Sequence, residues 1–284
     1  MDAASPATEK SISDEIRRSG ESDTGPDLSS ASSPIVLCYH AVSESWPSTL
    51  AVRPEALHHQ VSGLIKRGYR AVRFTEALTT NAGSRVFAVT FDDAYLSVVS
   101  LAFPVLSRLG VPATIFMPTR ADRDGLRDWE GIRPWSETTW RQELKGASWA
   151  LLGEVVEAGW EIGSHSRTHP DLTSVTDAVL HDELAGSRED CEMELGVECT
   201  SIAYPYGHVD RRVIEAARQA GYQAGAALAV EGARGKTRDP LCWPRLAVYR
   251  GDGPARLWAK RQAFSHAPRL LDELNKLRAL RASA

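Results

Sequence analysis

From Pro34 onward, short apolar runs alternate with longer segments of helical periodicity, and this alternation limits the fold more than any other feature of the chain. The runs are PIVLCYH, RVFAVTF, ATIFMP, GWEIGSH, CTSIAYP and YQAGAAL. They are the length of strands, and runs apolar on both sides of the pleat suit a parallel sheet covered on both faces. The segments between them, such as PEALHHQVSGLIKRG and SVVSLAFPVLSRLG, are amphipathic and carry Gly63, Gly68 or Gly110 near the expected helix ends, where a left-handed cap favours glycine. Repeated β-α units predict an α/β fold with a mostly parallel sheet. A chain of 284 residues, 43% hydrophobic, can close one large core, and a single domain over residues 34–262 is the expectation.

Residues 1–33 are rich in Ser, Asp, Glu, Gly and Pro, with scattered aliphatics only. They cannot bury enough surface to offset the entropy of ordering and are expected to be a disordered tail. Residues 263–284 read as a helical C-terminal tail. Residues 119–140, with Trp129, Trp135 and Trp140, read as an irregular insertion, able to form a sugar-stacking wall, a lid or a protein contact. SVTDAVLHDELAGSREDCEMELG reads as one long exposed helix.

Composition excludes some classes. A net charge of −4 offers no basic footprint for nucleic acid. The four cysteines, Cys38, Cys191, Cys199 and Cys242, form no C-x-x-C pair and read as reduced structural thiols. Without a signal-peptide core or a long apolar stretch, the expectation is a cytoplasmic chain with no membrane span. G-x-S-x-G, Walker A, G-x-G-x-x-G and H-E-x-x-H are all absent.

Polar residues gather where the strands stop. His40 ends the first, Asp92 and Asp93 end AVTF, His165 and His169 follow WEIGS, and Pro205-Tyr206-Gly207 follow SIAY. In β/α barrels the C-terminal strand ends form the active face. SHSRTHP spaces its histidines by four, but Pro170 disfavours a helical His169, so the pair belongs on a strand-end loop. Two imidazoles and one carboxylate are a common ligand set for hydrolytic zinc, with one position left for water. Alone, the two histidines are better explained by ordinary loop hydrogen bonds, and one Asp by a helix N-cap. The Asp pair adds what neither explains: two adjacent carboxylates repel when buried, and a divalent cation removes the conflict. Both reach one site only if the strand bends there.

These residues resemble the polysaccharide deacetylases that share the NodB homology domain. TFDD (90–93), SHSRTHP (164–170) and AYPYG (203–207) are similar to that family's three motifs, and CYHAV resembles its poly-N-acetylglucosamine deacetylase branch. The resemblance implies a distorted (β/α) barrel. It implies Asp93, His165 and His169 as ligands of a divalent metal, zinc by preference, Asp92 as general base, and Pro205 and Tyr206 on the substrate and oxyanion side. His40 would be the general acid, with His208 as its competitor. The chain departs from the family twice. Ala203 stands where the motif carries an Arg, and Arg245 in CWPRLAVYR is the candidate replacement; the late L-x-H is missing. The activity implied is hydrolysis of N-acetyl groups on amino sugars, with a carbohydrate substrate as the partner. A carbohydrate-binding pseudoenzyme, or an amidase or deformylase acting on a small intracellular substrate, stands as the alternative.

Overall fold

The computed structural model describes residues 34–80, 84–123, 125–228 and 239–266. The expected disordered tail over residues 1–33 and residues 267–284 of the expected helical tail lie outside the described residues. The main sheet contains β1 (Ile35–Tyr39), β2 (Arg70–Val72), β3 (Val86–Phe91), β4 (Ala113–Met117), β5 (Glu161–Ser164), β6 (Ser201–Ala203), β7 (Ala224–Ala227), β8 (Trp243–Pro244) and β9 (Leu246–Ala247). Its order is β8-β7-β6-β5-β4-β3-β1-β9, and every pairing in it is parallel. β2 pairs with the first half of β3, on the edge that β4 occupies further along.

All six apolar runs are strands. The structure adds β2 and the split segment β8–β9, too short to leave a pattern in the sequence. That segment closes the ring. Ala226 and Ala227 pair with Trp243 and Pro244, while Leu37 and Cys38 pair with Leu246 and Ala247, so one stretch of chain bonds to both ends of the sheet. Arg245 is the single residue between the two halves. The architecture is the expected distorted (β/α) barrel.

The period of two along each strand sorts the side chains. Ile35, Leu37, Tyr39, Phe87, Val89 and Phe91 pack in the large cluster, which takes in residues of the helices. Val36, Val86, Ala88, Phe116, Ala203, Ala226 and Trp243 form a separate cluster drawn from strands all round the ring, which is its interior. Cys38, Thr90 and Asp92 continue the inward parity of β1 and β3 towards the C-terminal end.

The helices are α1 (Pro54–Ile65), α2 (Phe74–Thr79), α3 (Phe103–Arg108), α4 (Trp149–Glu157), α5 (Asp177–His181), α6 (Ser187–Leu195), α7 (Arg211–Gln219) and α8 (Pro254–His266). Gly68 and Gly110 follow α1 and α3 with φ of +81° and +66°, a conformation that favours glycine, whereas Gly63 lies inside α1. α5 and α6 join through a π-helical turn, Asp182–Gly186. This element is not the fully exposed helix the sequence suggested: Leu180, Glu183, Leu184, Ser187 and Cys191 on it are buried. The insertion is irregular as expected, a short hairpin followed by a 3-10 turn, Arg133–Glu137, with a second 3-10 turn, Arg141–Leu144, directly after it. All four cysteines are buried and unpaired by disulfides. No helix among the described residues is long and apolar enough to cross a membrane.

Candidate active site

Asp92 reaches the barrel mouth by strand parity; Asp93 reaches it by strain. Asp93 and Ala94 have φ of 69° and 46°, left-handed values that non-glycine residues rarely adopt, so the chain turns sharply at the end of β3. The bend lets two consecutive carboxylates face one centre. The turn is held by bonds to the Ala94 carbonyl from the Ala147 amide at 2.8 Å and the Arg127 guanidinium at 3.0 Å.

The structure brings Asp93 together with His165 and His169. Asp93 Oδ1 lies 3.4 Å from Nε2 of each histidine. All three side chains are buried, and their ligand atoms lie within 4.8 Å of one another. His165 Nδ1 is 2.7 Å from the Ala203 carbonyl, an acceptor, so Nδ1 carries a hydrogen, and when the ring is neutral its bare Nε2 faces the carboxylate. Asp93 Oδ1 has no hydrogen-bond donor. Acceptor atoms that converge in a buried space without donors need a positive centre between them, and a divalent cation fits this donor set. Burial pushes His169 down despite Asp93, whereas for His165 burial is outweighed by Asp92 and Asp93, which raise it. For Asp93 burial is likewise outweighed, by its two histidines, and its carboxyl is held well below the usual range.

Arg245, from the closing segment, meets Asp92. Nη1 donates to Oδ1 at 2.6 Å and Nη2 to Oδ2 at 2.8 Å, and Nη1 also donates to Thr90 Oγ1 at 3.1 Å. Both partners are buried. Burial alone would raise the Asp92 carboxyl, but Arg245 and then His165 hold it down at about 2. The Cys38 thiol donates to Asp92 Oδ2 at 3.4 Å, and burial pushes this thiol well up. At the position where the resemblance expects Arg, Ala203 contributes its carbonyl to His165 instead.

His40 follows β1 directly, its Nδ1 buried without a hydrogen-bond partner, in a group with Cys38 and Asp92 whose polar atoms lie within 4.8 Å of one another. His208 sits apart from this group, its side chain 46% exposed and its Nδ1 2.8 Å from Asp171 Oδ2. Pro205 is buried in a 3-10 turn, and Tyr206 follows with φ 59°, its ring 4.9 Å from that of His169.

Sequence reasoning missed several neighbours. Trp129 from the insertion stacks on His169 at 4.1 Å and 17°, so this face is already covered and the ring, 7% exposed, is no free platform for a sugar. Trp135 packs edge-on against the buried Trp46. Tyr95, directly after the Asp93 turn, has a buried hydroxyl without a hydrogen-bond partner, which burial and then Asp93 push well up. Its place in TFDDAY was the only available signal. Glu183, on the π-helical turn that bonds the histidine loop, had none.

A family model described as polysaccharide deacetylase matches residues 79–225, more than half of the chain. Bacillus subtilis YxkH, whose given name carries the same family, is 27% identical over 195 residues, 67% of this chain and 62% of that protein. The chain thus spans less than two thirds of that relative's length. Among solved structures, the Streptococcus pyogenes deacetylase PplD, in complex with acetate, superposes with a TM-score of 0.64 at 20% identity, covering 80% of this chain and 97% of that one. IcaB from Ammonifex degensii gives 0.65 at 23% identity, covering 82% and 98%. These likenesses share the barrel. The matched span carries both aspartates, the histidine loop and the Pro205–Gly207 turn, and stops short of Arg245: this chain belongs to the polysaccharide deacetylase family.

Proposed function

We propose that this chain is a metal-dependent hydrolase that removes N-acetyl groups from amino sugars, with N-acetylglucosamine polymers or oligomers as the substrate class. The observation that carries the reading is the convergence of Asp93 Oδ1 and the two histidine Nε2 atoms, at 3.4 Å, beside a second carboxylate clamped by Arg245. Asp93, His165 and His169 would hold the cation, and a set with two nitrogens and one oxygen favours zinc. When bound, such an ion supplies Lewis acidity towards a carbonyl oxygen and lowers the pKa of water.

The remaining roles belong to the protein. Asp92 is the proton acceptor. Arg245 keeps it ionised at neutral pH and fixes its plane; Oδ1 retains a lone pair beyond the one Arg245 occupies, whereas Oδ2 also accepts from Cys38. His40, partly buried beside Asp92 with an unpartnered Nδ1, is the proton donor to the leaving amine. The Tyr206 amide, in its left-handed turn against His169, holds the developing oxyanion, with Pro205 setting the turn. The products are acetate and a free amine. Arg245 restores the charge lost at Ala203, which favours turnover over a binding-only pseudoenzyme.

Metal content of purified protein, measured together with acetate release from N-acetylglucosamine oligomers, tests the reading. Expected are stoichiometric metal and acetate release that collapses in Asp92→Asn. Metal-loaded protein that binds the oligomers but liberates no acetate, formate or ammonia from a broad amide panel would overturn it.

A further inference from the structure

The segment that carries both histidines is held in an improbable conformation. Ser166 and His169 both have φ of 63°, and neither is glycine. Two such residues in one loop persist only when their surroundings over-determine them. The loop's own side chains contribute in part: Ser164 Oγ accepts from the Ser166 amide and Ser166 Oγ accepts from the His169 amide, each at 3.1 Å. The two amides between them, of Arg167 and Thr168, find their acceptor elsewhere.

That acceptor is Glu183, 4% exposed, on the π-helical turn between α5 and α6. Its Oε2 accepts from the Arg167 amide at 2.7 Å and the Thr168 amide at 2.9 Å, and its Oε1 accepts from Thr168 Oγ1 at 2.5 Å. The same helical face continues the grip. Ser187 Oγ is 2.7 Å from Ser164 Oγ, and Asp190 accepts from Arg167 Nε at 3.0 Å and Nη2 at 3.1 Å. Positions 183, 187 and 190 form one stripe at helical spacing. A π-turn inserts an extra residue into a helix and re-aims the side chains before it, and such turns recur at functional sites.

We infer that Glu183 is a positioning residue: it touches neither substrate nor cation, but folds the loop so that His165 and His169 face Asp93 before any ion arrives. The inference rests on the metal-site reading above and extends it to a residue outside the three motifs. A partner that orients ligands in this way is worth about 10–100-fold in metal affinity.

The test compares Glu183→Ala, Glu183→Gln and Glu161→Ala in the full chain. Glu161 is a control at the opposite end of β5, where it accepts from Thr75, Thr114 and Ser201. Two quantities are read: zinc affinity by chelator competition, and hydrogen exchange at the Arg167 and Thr168 amides in metal-free protein. Expected for Glu183→Ala are loss of protection at those two amides and an affinity drop of about 10–100-fold. Glu183→Gln keeps most of both, because its amide oxygen can take the Oε2 contacts and the Thr168 hydroxyl can turn to accept from its NH2. Glu161→Ala lowers the melting temperature without changing affinity. Protection of both amides unchanged in Glu183→Ala, or an affinity loss no greater than in Glu161→Ala, overturns the inference. If wild-type protein binds no zinc, the metal-site reading fails, and the exchange data still decide whether Glu183 holds the loop.

Discussion

Arg245 and Asp92 lie 153 residues apart in sequence and meet through two parallel hydrogen bonds of 2.6 and 2.8 Å inside the barrel mouth. Arg245 also sits where the sheet closes on itself, so one side chain ties ring closure to the carboxylate. Arg245→Met leaves Asp92 buried and unpaired, which is expected to cost about 3–5 kcal/mol of stability. Arg245→Lys keeps a charge but loses the two-pronged geometry, and is expected to cost less stability while still lowering kcat. Urea unfolding and acetate release on the two variants check the order.

Removal of metal is expected to destabilise the chain. An ion present at 100 times its dissociation constant, and bound by the folded state alone, contributes about 2.7 kcal/mol. A chelator should therefore lower the melting temperature of wild type. Asp93→Ala and His165→Ala should show no such shift, and a chelator response that survives in both would refute the assignment of these ligands.

The two candidate proton donors separate by kinetics. His40→Ala is expected to reduce kcat by about 10²–10⁴ with little change in KM, the range for loss of general acid catalysis. His208, half-exposed and engaged by Asp171, should leave kcat near wild type when replaced by Ala. Equal losses of kcat in both would reject the assignment to His40.

Asp190 sets an acid limit on the loop. Burial raises its carboxyl, but bonds from Arg167, Arg120 and Thr119 outweigh burial and hold it at about 2. Its folded value lies below the unfolded value of about 3.9, so its contribution to stability is fully present above that pH and lost as pH falls through about 2. The stability gap between wild type and Asp190→Asn, measured by urea unfolding, should be wide at neutral pH and close between pH 4 and 2.

Gly163 lies two residues before His165 in β5. A Cβ there would fall 2.5 Å from Ser201 Oγ and 2.6 Å from Phe116 Cε1, closer than real Cβ contacts allow. Gly163→Ala is expected to destabilise by about 1–3 kcal/mol through overpacking, as thermal unfolding would show.

The alternation of apolar runs and amphipathic segments was enough to name the class and six of the strands, because period and length are local properties of the chain. So was the gathering of His40, Asp92, Asp93, His165, His169 and Tyr206 at strand ends, since parallel β-α units put every C-terminal strand end on the same side. Only the tertiary structure decided which side chains complete the centre. The grip of Arg245 on Asp92, the stack of Trp129 on His169 and the hold of Glu183 on the histidine loop each join segments that are distant in sequence or separated by a turn of unforeseen geometry. No period records them, because such contacts arise from ring closure and helix docking, which depend on the packing of the whole barrel.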